Sequence, residues 1–190
     1  MKVGLFFGSF NPIHIGHMII AQTMLDSGFI DELWFVVSPQ NPFKKNNNLL
    51  HEFDRLDMVS AAIADNPKFR ASDIEFNLPK PNYTAHTLAV LSEKHKDKEF
   101  ALIIGGDNLS SFHKWRNFQT ILDHHELLVY PRPNSSDPQI ELSDRIHFIE
   151  APLLNISATF IRSKIKNGYS IKYLVPTEVE EFIERKKFFL

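Results

Sequence analysis

Residues 2–17 read KVGLFFGSFNPIHIGH. The run Lys2–Phe7 is short, apolar and closed by Gly8, the pattern of a strand buried on both faces. The loop after it leads into Gly16–Asp26 (GHMIIAQTMLD), whose apolar residues recur at helical spacing until Gly28 ends them. Glu32–Val37 (ELWFVV) is a second β-rich run, stopped by Ser38 and Pro39. A strand, a helix and a strand in that order predict a βαβ unit, hence a parallel sheet and a right-handed crossover.

The alternation continues outward. The spacing predicts a helix over Phe53–Ala64 bounded by Pro67, a strand over Phe69–Phe76 and a helix over Thr84–Glu93. Glu99–Ile104 (EFALII) is a strand ending in Gly105-Gly106-Asp107. A short helix at Asn117–Leu122 and a strand at Glu126–Tyr130 follow. A short strand at Ile146–Ile149 and helices at Ser157–Lys166 and Thr177–Lys186 complete the chain. Residues 39–50 form a polar loop, and 132–138 is the best candidate for a linker. No repeat is evident. The pattern predicts an α/β fold, a doubly wound, Rossmann-like parallel sheet, in one domain over residues 1–190 with a small helical portion from about 155 to 190. Ligands in such folds sit outside the carboxyl ends of the strands.

Composition narrows the function. The 190 residues are 43% hydrophobic and 23% charged, which suits a globular chain with a sizeable core. There is no cysteine, so a disulfide framework, a thiolate zinc site, an iron–sulfur cluster and a cysteine nucleophile are excluded. A formal charge of −2 argues against a broadly basic nucleic-acid binder. Val3–Phe7 is too short for a signal-peptide core, and no run reaches the ~18 apolar residues a membrane span needs. A soluble, cytoplasmic protein without nucleic-acid or membrane partners is expected. The sequence leaves homo-oligomerisation open.

Three clusters fall where that fold would bind a ligand. The first is Gly8-Ser9-Phe10-Asn11-Pro12-Ile13-His14-Ile15-Gly16-His17. Gly8 and Gly16 allow close backbone approach, and a helix N-terminus favours phosphate. His14 and His17, three apart, share a helical face and can donate to phosphate oxygens. The segment lacks GxxxxGK[ST] and is not a P-loop. The second is Ile156-Ser157-Ala158-Thr159-Phe160-Ile161-Arg162, with a capping serine and an arginine able to offer a bidentate fork. The third is Gly105-Gly106-Asp107, where a carboxylate could meet ribose hydroxyls. Taken singly, each also fits an ordinary capped helix or a tight turn with Asp107 as N-cap. Lys44 and Lys45, Asn82-Tyr83-Thr84 and Lys114-Trp115 are smaller features. No set of three or four histidine and carboxylate ligands suggests a protein-held metal.

Together, in this order and spacing, the clusters resemble the nucleotidyltransferase superfamily with a His-x-Gly-His signature. The resemblance is closest to bacterial nicotinate-nucleotide adenylyltransferases, and it spans most of the chain. Further matching segments are Asn41-Pro42-Phe43-Lys44, Pro81-Asn82-Tyr83-Thr84, Ile103-Ile104-Gly105-Gly106-Asp107, Lys114-Trp115 and Arg132-Pro133. Phe7, Ser9 and Asn11 stand where that family usually has Gly, Thr and Asp, and Phe43 where it has His. Gly-Ser-Phe-Asn-Pro is also similar to eukaryotic mononucleotide adenylyltransferases.

The resemblance implies transfer of AMP from ATP to nicotinate mononucleotide with Mg²⁺, giving deamido-NAD and pyrophosphate. It implies catalytic roles for His14, His17, Lys44 and Arg162. It implies ATP contacts from Gly8, Ser9, Phe10, His14, His17, Gly105, Asp107, Arg132, Ser157, Thr159 and Arg162. Tyr83, Thr84 and Trp115 would hold the nicotinate nucleotide. Rival readings are an adenylyltransferase for nicotinamide mononucleotide or phosphopantetheine, and a non-catalytic nucleotide sensor.

Overall fold

The computed structural model describes residues 1–39, 49–132, 139–152 and 154–190. Six strands form one parallel sheet: β1 (Lys2–Gly8), β2 (Glu32–Val37), β3 (Phe69–Ser72), β4 (Glu99–Gly105), β5 (Glu126–Tyr130) and β6 (Ile146–Phe148). Their spatial order is β3-β2-β1-β4-β5-β6, the doubly wound order the alternation predicts. The α-helices among the described residues are α1 (Ile15–Asp26), α2 (Glu52–Ala62), α3 (Thr84–Lys94), α4 (Gly106–Ser110), α5 (Phe118–His124), α6 (Ala158–Lys166) and α7 (Thr177–Lys186).

The central stretches of β1, β2, β4 and β5 are apolar and buried because both faces are covered. Successive residues point to opposite faces. Phe6, Leu33, Phe35, Ala101, Ile103 and Leu128 therefore face α1, α2, α6 and α7, while Val3, Leu5, Trp34, Phe100, Leu102 and Leu127 face α3, α4 and α5. Helix α1 buries Ile20, Ala21 and Met24 on the first face. Full burial of one such large apolar side chain stabilises the fold by about 1.5–3 kcal/mol. The helix stops where Gly28 takes φ +75°, in the left-handed region a glycine tolerates. Ile161, Val179 and Ile183 place α6 and α7 in the same core as α1 and α2.

Two elements differ from expectation. The strand read over Phe69–Phe76 stops at Ser72 and tightens into a 3₁₀ turn at Ile74–Asn77. That turn buries Glu75, and Thr87 Oγ1 donates to its Oε1 at 2.8 Å. Gly105-Gly106-Asp107 is not a turn capped by Asp107. Gly105 is the N-cap, and Gly106 and Asp107 lie inside α4.

Candidate active site

β1 and β4 are neighbours whose connections leave in opposite directions, so their carboxyl ends flank a crevice. The loop after β1 carries the first cluster into it. His14 is the N-cap of α1, in extended conformation, and His17 lies in the first turn. The two rings stack with centroids 3.7 Å apart. The His14 backbone N–H donates to Nδ1 of His17 at 3.2 Å. That nitrogen must be an acceptor, so in the neutral ring the proton sits on Nε2. Gly16 makes the stacking feasible, since a Cβ there would lie 3.1 Å from His14 Nδ1.

His14, His17, Tyr130, Arg132 and Ile156 line one crevice. His14 is 6% exposed, and its Nδ1 has no hydrogen-bond partner among the described residues. Burial, then the charge of Arg132, lowers its pKa to about 4. Burial, then His14 and Arg132, also holds His17 well below its ordinary value. Both imidazoles are therefore neutral at pH 7, each offering one N–H. Arg132 lies over the Tyr130 ring at 5.2 Å and donates to its hydroxyl at 3.4 Å.

Gly8 and Gly105 stand beside side chains. A Cβ on Gly8 would come within 2.7 Å of the Phe10 ring, and one on Gly105 within 2.5 Å of Asp107 Oδ1 and 3.1 Å of Arg132 Cγ. The Phe10 side chain is core: it is 2% exposed and packs against Phe6, Phe35 and His17. Its ring is therefore not offered to a ligand. The Ser9 carbonyl accepts from Arg55 Nη1 at 2.6 Å.

Helix α6 brings the second cluster to the same loop. Ser157 caps it by accepting from the Phe160 N–H at 3.1 Å. Arg162 donates to the Asn11 carbonyl at 2.8 Å and to Thr159 Oγ1 at 3.1 Å. Asn11 also receives the Leu50 N–H on Oδ1 at 3.2 Å. A residue that departs from the family pattern thus joins three segments. Lys44 lies outside the described residues.

Tyr83, Thr84 and Trp115 belong to the other side of the sheet. Tyr83 is the N-cap of α3 and Thr84 its first residue, and no side chain caps the helix. Asn82 instead donates to the Glu75 carbonyl at 3.1 Å. Trp115 follows a 3₁₀ turn and packs on Phe112 with centroids 5.0 Å apart. The Arg116 guanidinium lies 4.8 Å over the Tyr83 ring and links the two segments.

Sequence reasoning passed over Arg55, Glu75 and Arg116. Arg55 carried a usable signal: with Met58, Val59 and Ala62 it falls on the buried face of α2. Among the described residues, no group of three histidine or carboxylate side chains could hold a metal.

The cytidylyltransferase-like family matches residues 5–164. A probable nicotinate-nucleotide adenylyltransferase of Cytophaga hutchinsonii is 59% identical over 189 residues, covering 100% of this chain and 98% of that one. A protein of the same name from Flavobacterium psychrophilum is 50% identical over 191 residues, covering 100% and 99%. Among solved structures, the Plasmodium falciparum nicotinic acid mononucleotide adenylyltransferase complexed with NaAD superposes with a TM-score of 0.79 at 17% identity. That match covers 99% of this chain and 97% of that one, and at such identity it speaks for the fold.

Proposed function

The chain belongs to the nicotinate-nucleotide adenylyltransferase family, a nucleotidyltransferase family, and from that premise we propose how its residues transfer AMP from ATP to nicotinate mononucleotide. An oxygen of the mononucleotide phosphate attacks the α-phosphorus of ATP in line. The new oxygen–phosphorus bond forms as the bond to the β-phosphate bridging oxygen breaks. Deamido-NAD and pyrophosphate result. The nucleophile is already an oxyanion, so no general base or covalent intermediate is required. Catalysis is positioning and charge stabilisation.

One observation carries this reading: His14 and His17, stacked and desolvated beside Arg132 at the β1–β4 switch point. Two neutral imidazoles give directed N–H donors without placing two further cations beside Arg132. Burial is the main cause that holds both pKa values down, and Arg132 adds to it; arriving phosphates oppose the Arg132 contribution and favour the protonated imidazolium, a stronger donor. Ser9, the Phe10 backbone, Ser157, Thr159 and Arg162 surround the phosphates, joined by Lys44. Gly105, Asp107 and Arg132 face the adenosine side, and Tyr83, Thr84 and Trp115 take the nicotinate nucleotide.

The Arg116 cation over Tyr83 favours an acid over an amide on the pyridine ring. Mg²⁺ enters with ATP as part of the substrate, offsetting phosphate charge. It would be held mainly by phosphates and water, as is usual for this hard ion.

Residues 1–190 act as one domain, supported by the core that α6 and α7 share with α1 and α2. No helix among the described residues is long and apolar enough to cross a membrane.

Pyrophosphate release tests the assignment, with Mg·ATP and, in parallel, nicotinate mononucleotide, nicotinamide mononucleotide and phosphopantetheine. The nicotinate form is expected to give the highest kcat/KM. A preference for the amide overturns the acceptor, and silence with all three overturns the reaction.

A further inference from the structure

Arg55 is 0% exposed in α2. A buried charge is costly unless it is paired or fully hydrogen-bonded. Arg55 has no ion pair among the described residues. It donates instead to four backbone carbonyls: Nε to Leu50 at 2.9 Å, Nη1 to Ser9 at 2.6 Å and Ser38 at 2.8 Å, and Nη2 to Pro39 at 3.0 Å. Burial lowers its pKa to about 10, with Glu52 opposing, so the group stays charged at neutral pH.

Its position explains the pattern. The β1–β2 ladder ends with the bond from the Ser38 N–H to the Gly8 carbonyl, 2.9 Å. One residue further along, beyond the last ladder bond, Nη1 of Arg55 bridges the two backbones through the Ser9 and Ser38 carbonyls. Because a peptide is planar and trans, fixing the Ser9 C=O points the Phe10 N–H of that unit the opposite way, away from Arg55. Phe10 itself has φ +44°, a conformation that residues with a side chain adopt only when neighbours enforce it. The packed ring enforces it on one side and the Arg55-bound carbonyl on the other. The Phe10 N–H has no protein acceptor among the described residues.

We propose that Arg55 is a positioning residue for nucleotidyl transfer: by gripping the Ser9 and Ser38 carbonyls it presents the Phe10 N–H to a phosphate oxygen of the nucleotide. Arg55 touches no substrate. A lysine would keep the charge but lose the planar fork that spans three segments. For the reaction it serves, this role rests on the assignment above. Its action on phosphate is separable.

The test compares Arg55→Lys with Met58→Ala, a fully buried core change one turn along the same helix. Turnover is measured with both substrates saturating, well below each melting temperature. Arg55→Lys is expected to lower kcat about 100-fold. Met58→Ala is expected to lower the melting temperature comparably and leave kcat within about twofold, since it disturbs packing alone. A folded Arg55→Lys protein with the kcat of Met58→Ala overturns the proposal.

A second readout needs no turnover and no variant. Titrating ATP into the wild-type protein should shift the Phe10 backbone amide resonance, and an unmoved amide overturns the proposal even if Arg55→Lys fails to fold. A wild-type protein that shifts this amide but releases no pyrophosphate would overturn the reaction and leave the role of Arg55 standing.

Discussion

Acidifying the folded protein should destabilise it through His14, and a single substitution should remove that sensitivity. The folded pKa of His14 is lowered from 6.5 to about 4, chiefly by burial and secondarily by Arg132. Between those values the unfolded chain binds a proton that the folded chain refuses, so stability rises with pH across that window and falls as pH drops through it. The limiting slope is about 1.4 kcal/mol per pH unit. Integrated from about pH 8 to about pH 5, His14 alone accounts for a loss of about 2 kcal/mol. His17, also held low, adds to the loss with the same sign. Glu75, whose carboxyl burial pushes upward, has the opposite sign, losing stability as pH rises, but it is common to wild type and variant and cancels between them. Urea unfolding of wild type and His14→Asn at both pH values measures the difference. Asparagine does not titrate, and it also relieves His17 of a like-charged neighbour. The wild type should lose about 2 kcal/mol more than the variant on acidification. Equal losses within about 0.5 kcal/mol would refute the claim that these imidazoles are held neutral.

Trp115→Ala should raise KM for nicotinate mononucleotide about fivefold, from roughly 1 kcal/mol of lost stacking, and an unchanged KM removes Trp115 from that pocket. Gly8→Ala places a Cβ 2.7 Å from the Phe10 ring, so it should lower the urea midpoint by about 1–3 kcal/mol equivalent and depress turnover with it. A protein of wild-type stability would show that Phe10 can move freely. Arg116→Glu reverses the charge over Tyr83 and should reduce the acid-over-amide ratio of kcat/KM on the order of tenfold, read from parallel pyrophosphate assays.

The sheet was legible because its strands are buried on both faces. After the leading glutamates Glu32 and Glu99, runs such as EFALII and ELWFVV are wholly apolar and buried, unlike a surface strand. β3 was less legible for the opposite reason. At the sheet edge its burial is partial, and the sequence FRASDIEF alternates almost as well through Glu75, which the structure turns inward to meet Thr87. The first cluster was legible as chemistry but not as architecture. Gly8 suggests room for a ligand, yet the space beside it belongs to Phe10. The phenylalanine itself reads as core by composition and as ligand-binding by motif. The structure places its ring in the core. Arg55 was missed because a charged side chain on a helix is read by default as solvated. Only its placement on the same face as Met58 and Val59 argued otherwise.

Arg132 faces the crevice and acts on both histidines through space, while Arg162 reaches the Asn11 carbonyl from α6 and Arg55 reaches Ser9 from α2. Two arginines from separate helices therefore hold carbonyls of the one loop that carries His14 and His17. A triphosphate site faces a physical conflict: it needs many donors close together, but many cations close together repel one another while the site is empty. Here two of the cations at the loop, Arg55 and Arg162, bond backbone carbonyls, and the two histidines beside Arg132 are held neutral chiefly by burial. The site can thus be fixed before the nucleotide arrives, with charge repulsion kept low. Fixed donors need not reorganise as charge shifts onto the departing pyrophosphate, and that is the source of the rate enhancement expected of an enzyme without a covalent intermediate.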